Sequence, residues 1–390
     1  MSNLVDEVMA SGSTTTVVGH STSVVFEVEM KKFVLQSLLE KASAVVPTRD
    51  ILPVLKNFQI EAFDNRVRVT ATDLELSVVV GTEMVTVTVP GVAVFPAKKL
   101  LTIVREAGEG DVHISVVGGQ ATVSIGRTSW TLKLQPGDDY PPMINLSSLE
   151  LHSVNRVVLL SALSTVRYVV PRSGRPSLQM VQIANGKATA CDGVRFQQAS
   201  VGDDFPVDMR IPVGAVDDLL KLLKVTDQES IQIGVSDNCL VFKIGSDFFI
   251  ANQLIAQFPD VESMLLRPAL SNTHELVVDR SSLQEAVRRV RITADPETSA
   301  VTLSLSRGSL IISSTDKFGN KCIETLEVKW SASPRMLVIN HSFVTDMLDA
   351  HKDQSCKFMI GDDIGGRKSP LLLRDDTAKT VGVCQQMITG

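Results

Sequence analysis

The feature that most constrains this chain is an internal repeat of about 120 residues. Three stretches, FQIEAFDNRVRVTATD, LQMVQIANGKATACD and VTLSLSRGSLIISSTD, share a run of strand, tight turn, strand, small residue and aspartate. They end at Asp73, Asp192 and Asp316, 119 and 124 residues apart. Apolar residues alternate on both sides of Asp64-Asn65, Asn185-Gly186 and Arg307-Gly308, pairs that readily take the positive φ of hairpin turns. The pattern predicts three copies of one hairpin.

Helical periodicity repeats in phase with the strands. Lys31 to Val46, Val154 to Val170 and Asp279 to Arg291 precede the hairpins; in the last, Leu283, Ala286, Val287 and Val290 keep the spacing of one helical face. PAKKLLTIVREAG from Pro96, PVGAVDDLLKLLK from Pro212 and NHSFVTDMLDAHK from Asn340 follow them, two opening on the proline favoured in a first turn. A further strand pair comes next, turning at Gly118-Gly119 and Asp237-Asn238, with a less regular third version around 361–370.

The phasing predicts an α+β chain of three repeated domains, each with two helices packed on antiparallel sheets: 24–147, 148–270 and 271–390. Pro141-Pro142 with Asn145, and Arg267-Pro268 with Ser271-Asn272, mark the loops between them. A length of 390 residues agrees with two to three domains, and 44% hydrophobic with 21% charged residues excludes disorder. Apolar runs such as Val78-Val79-Val80 fall far short of a membrane span. Residues 1–23 lack the basic start and apolar stretch of a secretory signal and read as a flexible tail. Five cysteines without a CxxC pair argue against disulfides or a zinc knuckle and point to the cytoplasm.

Charge is segregated. The six helical segments carry a summed +7 within a chain of −6, leaving −13 elsewhere. A basic helical face attracts phosphates while an acidic remainder repels them. Exposed helix faces often carry Lys and Arg, so the segregation alone does not decide.

Catalytic signatures are missing. The six histidines form no HExxH and no close pair with cysteine. No GxSxG elbow and no strand-to-helix GxGxxG is present, and around Gly361 to Ser369 Arg367 and two aspartates spoil any phosphate loop. Asp73, Asp192 and Asp316 recur as equivalents in sequential domains, where they are expected to cap a turn rather than share a metal. No cofactor or metal is expected.

Taken together, these segments resemble the bacterial DNA polymerase III β subunit, the β sliding clamp family. ThrArgAspIleLeuProValLeu from Thr48 with AlaThrAspLeuGlu from Ala71 is similar to its first-domain signature. CysAspGlyValArgPhe from Cys191 resembles its Thr-Asp-Gly-x-Arg-Leu, and GlnPheProAsp from Gln257 its Phe-Pro-Asp segment. The resemblance covers residues 24–390. It implies the DNA clamp fold and a non-enzymatic processivity factor: a head-to-tail homodimer closing a ring around duplex DNA, opened by a clamp loader, that tethers polymerase and repair proteins through short linear motifs.

Residues implied to contact DNA phosphates are Arg49, Lys98, Lys99, Arg105, Arg167, Arg172, Arg175, Arg288 and Arg289, with Arg49 and Arg175 foremost. The resemblance also implies a peptide pocket of Leu178, Gly193, Val194, Arg195, Phe196, Pro259, Met264, Phe343, Pro370, Val383, Cys384, Gln385, Gln386 and Met387. Phe196, Met264 and Phe343 equally fit as ordinary core residues. Cys191 stands where the family has threonine and Val194 where a polar residue is common; the tail CQQMITG lacks the family's Met-Pro-Met-Arg-Leu ending. Such departures suit a divergent bacterial or phage-encoded member with its own motif preference. Two rivals remain at this stage: a monomeric clamp-like adaptor keeping only the peptide pocket, and a metal-dependent nuclease using the repeated aspartates.

Overall fold

The computed structural model describes residues 23–48, 52–142, 146, 149–236, 238–363 and 368–387. Arg49, Asp237, residues 1–22 of the expected tail and residues 364–367 of the expected 361–370 turn lie outside them. The described residues include seven α-helices: α1 Lys32–Ala42, α2 Ala97–Glu106, α3 Arg156–Val166, α4 Val213–Val225, α5 Arg267–Leu270, α6 Arg280–Val290 and α7 His341–Ala350. Six of them fall on the six periodic segments. Among the described residues no helix is long and apolar enough to cross a membrane.

One strand order is built three times. A lead strand (Val24–Lys31, His152–Asn155, His274–Asp279) runs directly into α1, α3 or α6. Three antiparallel strands follow: Asn57–Phe63, Arg66–Thr72 and Leu76–Thr82; Met180–Ala184, Lys187–Cys191 and Arg195–Ser200; Ala300–Ser306, Ser309–Thr315 and Lys321–Glu327. A return strand (Gly91–Pro96, Met209–Pro212, Arg335–Asn340) pairs with the first of each three and enters α2, α4 or α7. Three more strands then close on the lead strand: Asp111–Val117, Gln120–Ile125 and Thr128–Lys133; Ser230–Val235, Cys239–Ile244 and Asp247–Asn252; Ser355–Ile360, Leu371–Asp375 and Thr380–Cys384. The sequence led us to expect only a pair in this second set. Its third strands follow a second tight turn, as at Gly126 (φ 59°) and Gly245 (φ 62°).

Local chemistry explains the hairpins. Asp64 and Asn65 take φ of 44° and 57°, and Asn185 and Gly186 take 50° and 71°, so both turns carry the twist that suits paired strands. In the third copy only Gly308 (φ 75°) is left-handed; Arg307 is not, because a long side chain resists that conformation and the following glycine absorbs it. The three repeat aspartates are turn caps. Asp73 Oδ1 accepts from the amides of Glu75 and Leu76, Asp192 Oδ1 from those of Val194 and Arg195, and Asp316 Oδ1 from those of Phe318 and Asn320. With one oxygen thus committed to its own turn in each copy, the carboxylates serve local folding.

By contact density the chain forms two compact units: one runs through Arg156 and includes Val225–Gln253, the other is Val157–Lys224 with Leu254 onwards. The first has a five-stranded sheet and an eight-stranded sheet in which Asp247–Asn252 of the second copy pairs antiparallel with Leu76–Thr82 of the first. Its core holds Phe26 and Phe95, packed edge to face at 6.0 Å, with α1 against α2. At Gly91 the lead strand comes so close that a Cβ would lie 2.1 Å from the Val25 carbonyl oxygen.

The second unit has an eight-stranded sheet in which Thr380–Cys384 of the third copy pairs antiparallel with Arg195–Ser200 of the second, and a four-stranded sheet ending at Lys321–Glu327. The same type of joint therefore occurs in both units. Among the described residues the equivalent strands Thr128–Lys133 and Lys321–Glu327 each end a sheet with one edge unpaired.

One segment expected as a loop is helical. Glu262–Leu266 forms a wide π-type turn leading into α5. Val261, Leu265, Leu266 and Ala269 fall on one side and are buried, while Pro268 lies within the continuous helical run, just after the wide turn.

Candidate peptide pocket and nucleic-acid interface

Within the second unit, one sheet face carries an apolar row. Cys191 lies opposite Phe196, Phe196 opposite Val383, Val383 opposite Leu372 and Leu372 opposite Met359. Residues directly opposite one another share a face, so these five side chains are neighbours. Met180 joins them, and Phe258, Val261, Leu265, Leu266 and Ala269 from the turn and α5 cover the row, with Leu178 at its margin. Phe196 (1% exposed) and Val383 (0%) are buried beneath that cover. Burial pushes the Cys191 thiol up to about 11, so it packs as a small apolar group.

The loop after Cys191 is held from several sides. Gly193 has φ of +100°, and the Asp192 cap draws the chain back so that Arg195 begins the next strand. Arg195 Nε donates to Asp192 Oδ2 and Nη1 to Asp346 Oδ2 on α7, both at 2.7 Å. Its guanidinium lies over the Phe343 ring at 4.2 Å and near that of Tyr168 at 5.8 Å. Burial opposes the charge, but the two carboxylates outweigh it and raise the Arg195 pKa above its ordinary value. Arg195 thus locks the loop to α7 with two of its five N–H donors.

The C-terminal segment closes the other side. Gln385 N donates to the Val194 carbonyl at 3.0 Å and Met387 N to that of Val338 at 2.8 Å. Buried Gln386 donates from Nε2 to the Ser369 carbonyl at 2.5 Å, and Asn272 Nδ2 reaches the buried Pro370 carbonyl at 2.8 Å. Val194 (43% exposed) and Met264 (67% exposed) remain open to solvent, with Gly193 also exposed and Pro259 half-buried. Cys384 is a correction to the sequence reading. One residue on from Val383, it points to the opposite face and packs in the core with Leu371, Leu373 and Met347. Sequence reasoning also missed Tyr168, whose hydroxyl donates to Gln197 Oε1 at 2.8 Å, and Asp346; Tyr168 is one of only two tyrosines in the chain.

The basic residues divide into two groups. Arg167 is bound through Nε and Nη2 to Asp217 on α4 at 2.5 and 2.9 Å, and Arg172 reaches the same carboxylate at 2.9 Å. These contacts hold the Asp217 carboxyl below its ordinary range, the Arg167 hydrogen bond foremost. Arg105 pairs with Glu40 at 3.1 Å, and Arg289 with Glu324 and Glu285 at 2.5 and 3.2 Å. Lys98, Lys99, Arg175 and Arg288 are exposed and make no ion pair among the described residues. Arg49 falls outside those residues.

Three copies of one helix-and-sheet unit, joined by strand pairing, define a scaffold of the DNA clamp type. The family model for the DNA polymerase III beta subunit N-terminal domain matches residues 25–146, and that for its C-terminal domain matches 268–385. Over half the chain being matched, it belongs to the bacterial DNA polymerase III beta subunit family, the beta sliding clamps. The Beta sliding clamp of Escherichia coli K12 is 24% identical over 335 residues, spanning 84% of this chain and 90% of that one. That of Pseudomonas aeruginosa PAO1 is 25% identical over 341 residues, with 83% and 90% covered. Among solved structures, the P. aeruginosa DNA polymerase sliding clamp with ligand superposes with a TM-score of 0.84 at 23% identity, covering 93% of this chain and all of that one. The P. aeruginosa clamp bound to griselimycin gives 0.82 at 22%, with the same coverage.

Proposed function

We propose that this chain is a DNA polymerase processivity factor: a sliding clamp that encircles duplex DNA as a head-to-tail homodimer and tethers polymerase, loader and repair proteins through short peptide motifs. It works in the cytoplasm and is not an enzyme; no bond is made or broken. Its domains are 24–147, 148–270 and 271–390, preceded by a tail, and the threefold strand order supports that division. One observation carries the reading. In two of three copies the joint strand finds its antiparallel partner within the chain, while Thr128–Lys133 and Lys321–Glu327 do not. An unpaired edge is a template for another chain. A second copy placed head to tail supplies both missing partners, and a heterologous contact of that kind closes into a ring when its rotation allows.

Phosphate attraction in such a ring is diffuse and reads no sequence. Lys98, Lys99, Arg175 and Arg288 carry it, with Arg49 a further contact. Arg105, Arg167, Arg172 and Arg289 are partly neutralised by their carboxylates and contribute less. The peptide pocket is the apolar row with Val194, Met264, Gln385 and Met387 at its mouth; Phe343 packs instead against the core that holds Cys384. The deciding test is topological: protein loaded on nicked circular DNA should stay bound through gel filtration at high salt and be lost on linearisation. Equal loss from circular and linear DNA would refute encirclement.

A further inference from the structure

The apolar row occupies only one end of its sheet face. Two residues further along the same strands, the residues successively opposite one another are Gln182, Thr189, Gln198, Val381, Arg374 and Lys357. Because side chains two apart share a face, this polar row adjoins the apolar one at a spacing of about 7 Å. A third row follows, where Lys187 lies opposite Ser200, whose amide donates to the Lys379 carbonyl at 3.3 Å. Lys187, Gln198, Ser200, Arg374, Asp375, Asp376, Lys379, Thr380 and Val381 line an open groove of about 350 Å³ at this end.

The groove is cationic. Lys187, Lys357, Arg374 and Lys379 are exposed and have no ion-pair partner among the described residues. The acid here that faces solvent is Asp376; Asp375 is turned into the core, where it accepts from the amides of Lys352 and Ala378 at 2.8 and 2.6 Å. The exposed charges that line the groove are Lys187, Arg374 and Lys379 against Asp376, a net +2 in a chain of −6.

We infer that this groove receives acidic residues of the same partner segment that fills the apolar pocket, so that the docking site is bipartite. The inference rests on the pocket assignment above. Val381 packs against the apolar row and also lines the groove, making the two parts continuous. Four residues of strand separate the Phe196 row from the Ser200 row, about 13 Å, which an extended peptide spans in about four residues. Carboxylates that far from the apolar anchor would meet Arg374, Lys187 and Lys379. Such pairs are solvent-exposed, each modest in strength and screened by salt.

The test uses three fluorescent peptides with a common Leu-Leu-Phe core, bearing four aspartates before it, four after it, or a Gly-Ser tail instead. Anisotropy with the full-length protein should show one acidic peptide binding about tenfold more tightly than the control. That advantage should vanish in about 0.5 M salt and in the Lys187→Glu/Arg374→Glu/Lys379→Glu variant, which should bind the control peptide as wild type does. No advantage in wild type, or one that survives the triple substitution, overturns the bipartite site while leaving the pocket standing. Failure of the control peptide to bind overturns both. A short single-stranded oligonucleotide that binds the wild type and not the triple variant, without competing for the acidic tail, assigns the groove to phosphates and overturns the peptide reading.

Discussion

Arg195 ties the pocket loop to α7, and replacing it should be costly in a specific way. Arg195→Met keeps length and apolar stem but removes the charge shared by Asp192 and Asp346. Breaking a buried pair by deleting one partner costs about 3–5 kcal/mol. Here the loss is moderated, because the Asp346 side chain is 38% exposed and rehydrates, and Asp192 keeps the amides of Val194 and Arg195. We therefore expect about 2–3 kcal/mol, read from urea unfolding. The cycle with Asp346→Asn should show a coupling of at least about 1 kcal/mol, since each single change strands the other's charge. Peptide affinity should fall too, as Val194 loses its fixed position. A coupling below about 0.5 kcal/mol would show that the guanidinium does not bridge loop and helix, and the account of the pocket wall would fail.

Met264→Ala, at an exposed side chain, should weaken peptide binding about tenfold in anisotropy with unchanged stability; unaltered affinity would remove Met264 from the pocket. Gly91→Ala should destabilise the first unit by more than about 2 kcal/mol in thermal unfolding, because the new methyl meets the Val25 carbonyl; a neutral result would place the two strands further apart. Asp375 should govern acid stability. Burial alone would raise its pKa, yet the amides of Ala378 and Lys352 and the charge of His351 hold it below 3.8. A depressed folded pKa contributes stability that is complete above the unfolded value and lost as pH falls through the folded one. Asp375→Asn should therefore flatten the fall in stability below about pH 4 while lowering stability at neutral pH; an unchanged acid limb would contradict this.

What the sequence revealed was local. Hairpin turns, the aspartate caps and six helices are each fixed within a few residues by turn chemistry or apolar period, so their threefold recurrence was legible. The pairings that join copies were not: Phe248 meets Val79, and Phe196 meets Val383, through register that no short window records. Ion pairs show the same limit. Arg167 and Asp217 are 50 residues apart, and Arg289 and Glu324 are 35, so a charge count treats as free the arginines that the fold has paired. Cys384 was misplaced because the pocket segment was read as a run of residues, whereas a strand alternates its faces. The π-type turn and α5 were hidden behind Pro268, which reads as a breaker but here lies inside a helical run just after the wide turn.

The most direct test of the central claim is the mass in solution, by sedimentation equilibrium across a dilution series, with one chain of 42.3 kDa as the unit. Two unpaired strands that complete each other predict a dimer of twice that mass, converted to monomer by Ile323→Pro, which removes an amide from the Lys321–Glu327 edge. A wild-type chain that remains monomeric at micromolar concentration would contradict the closed ring.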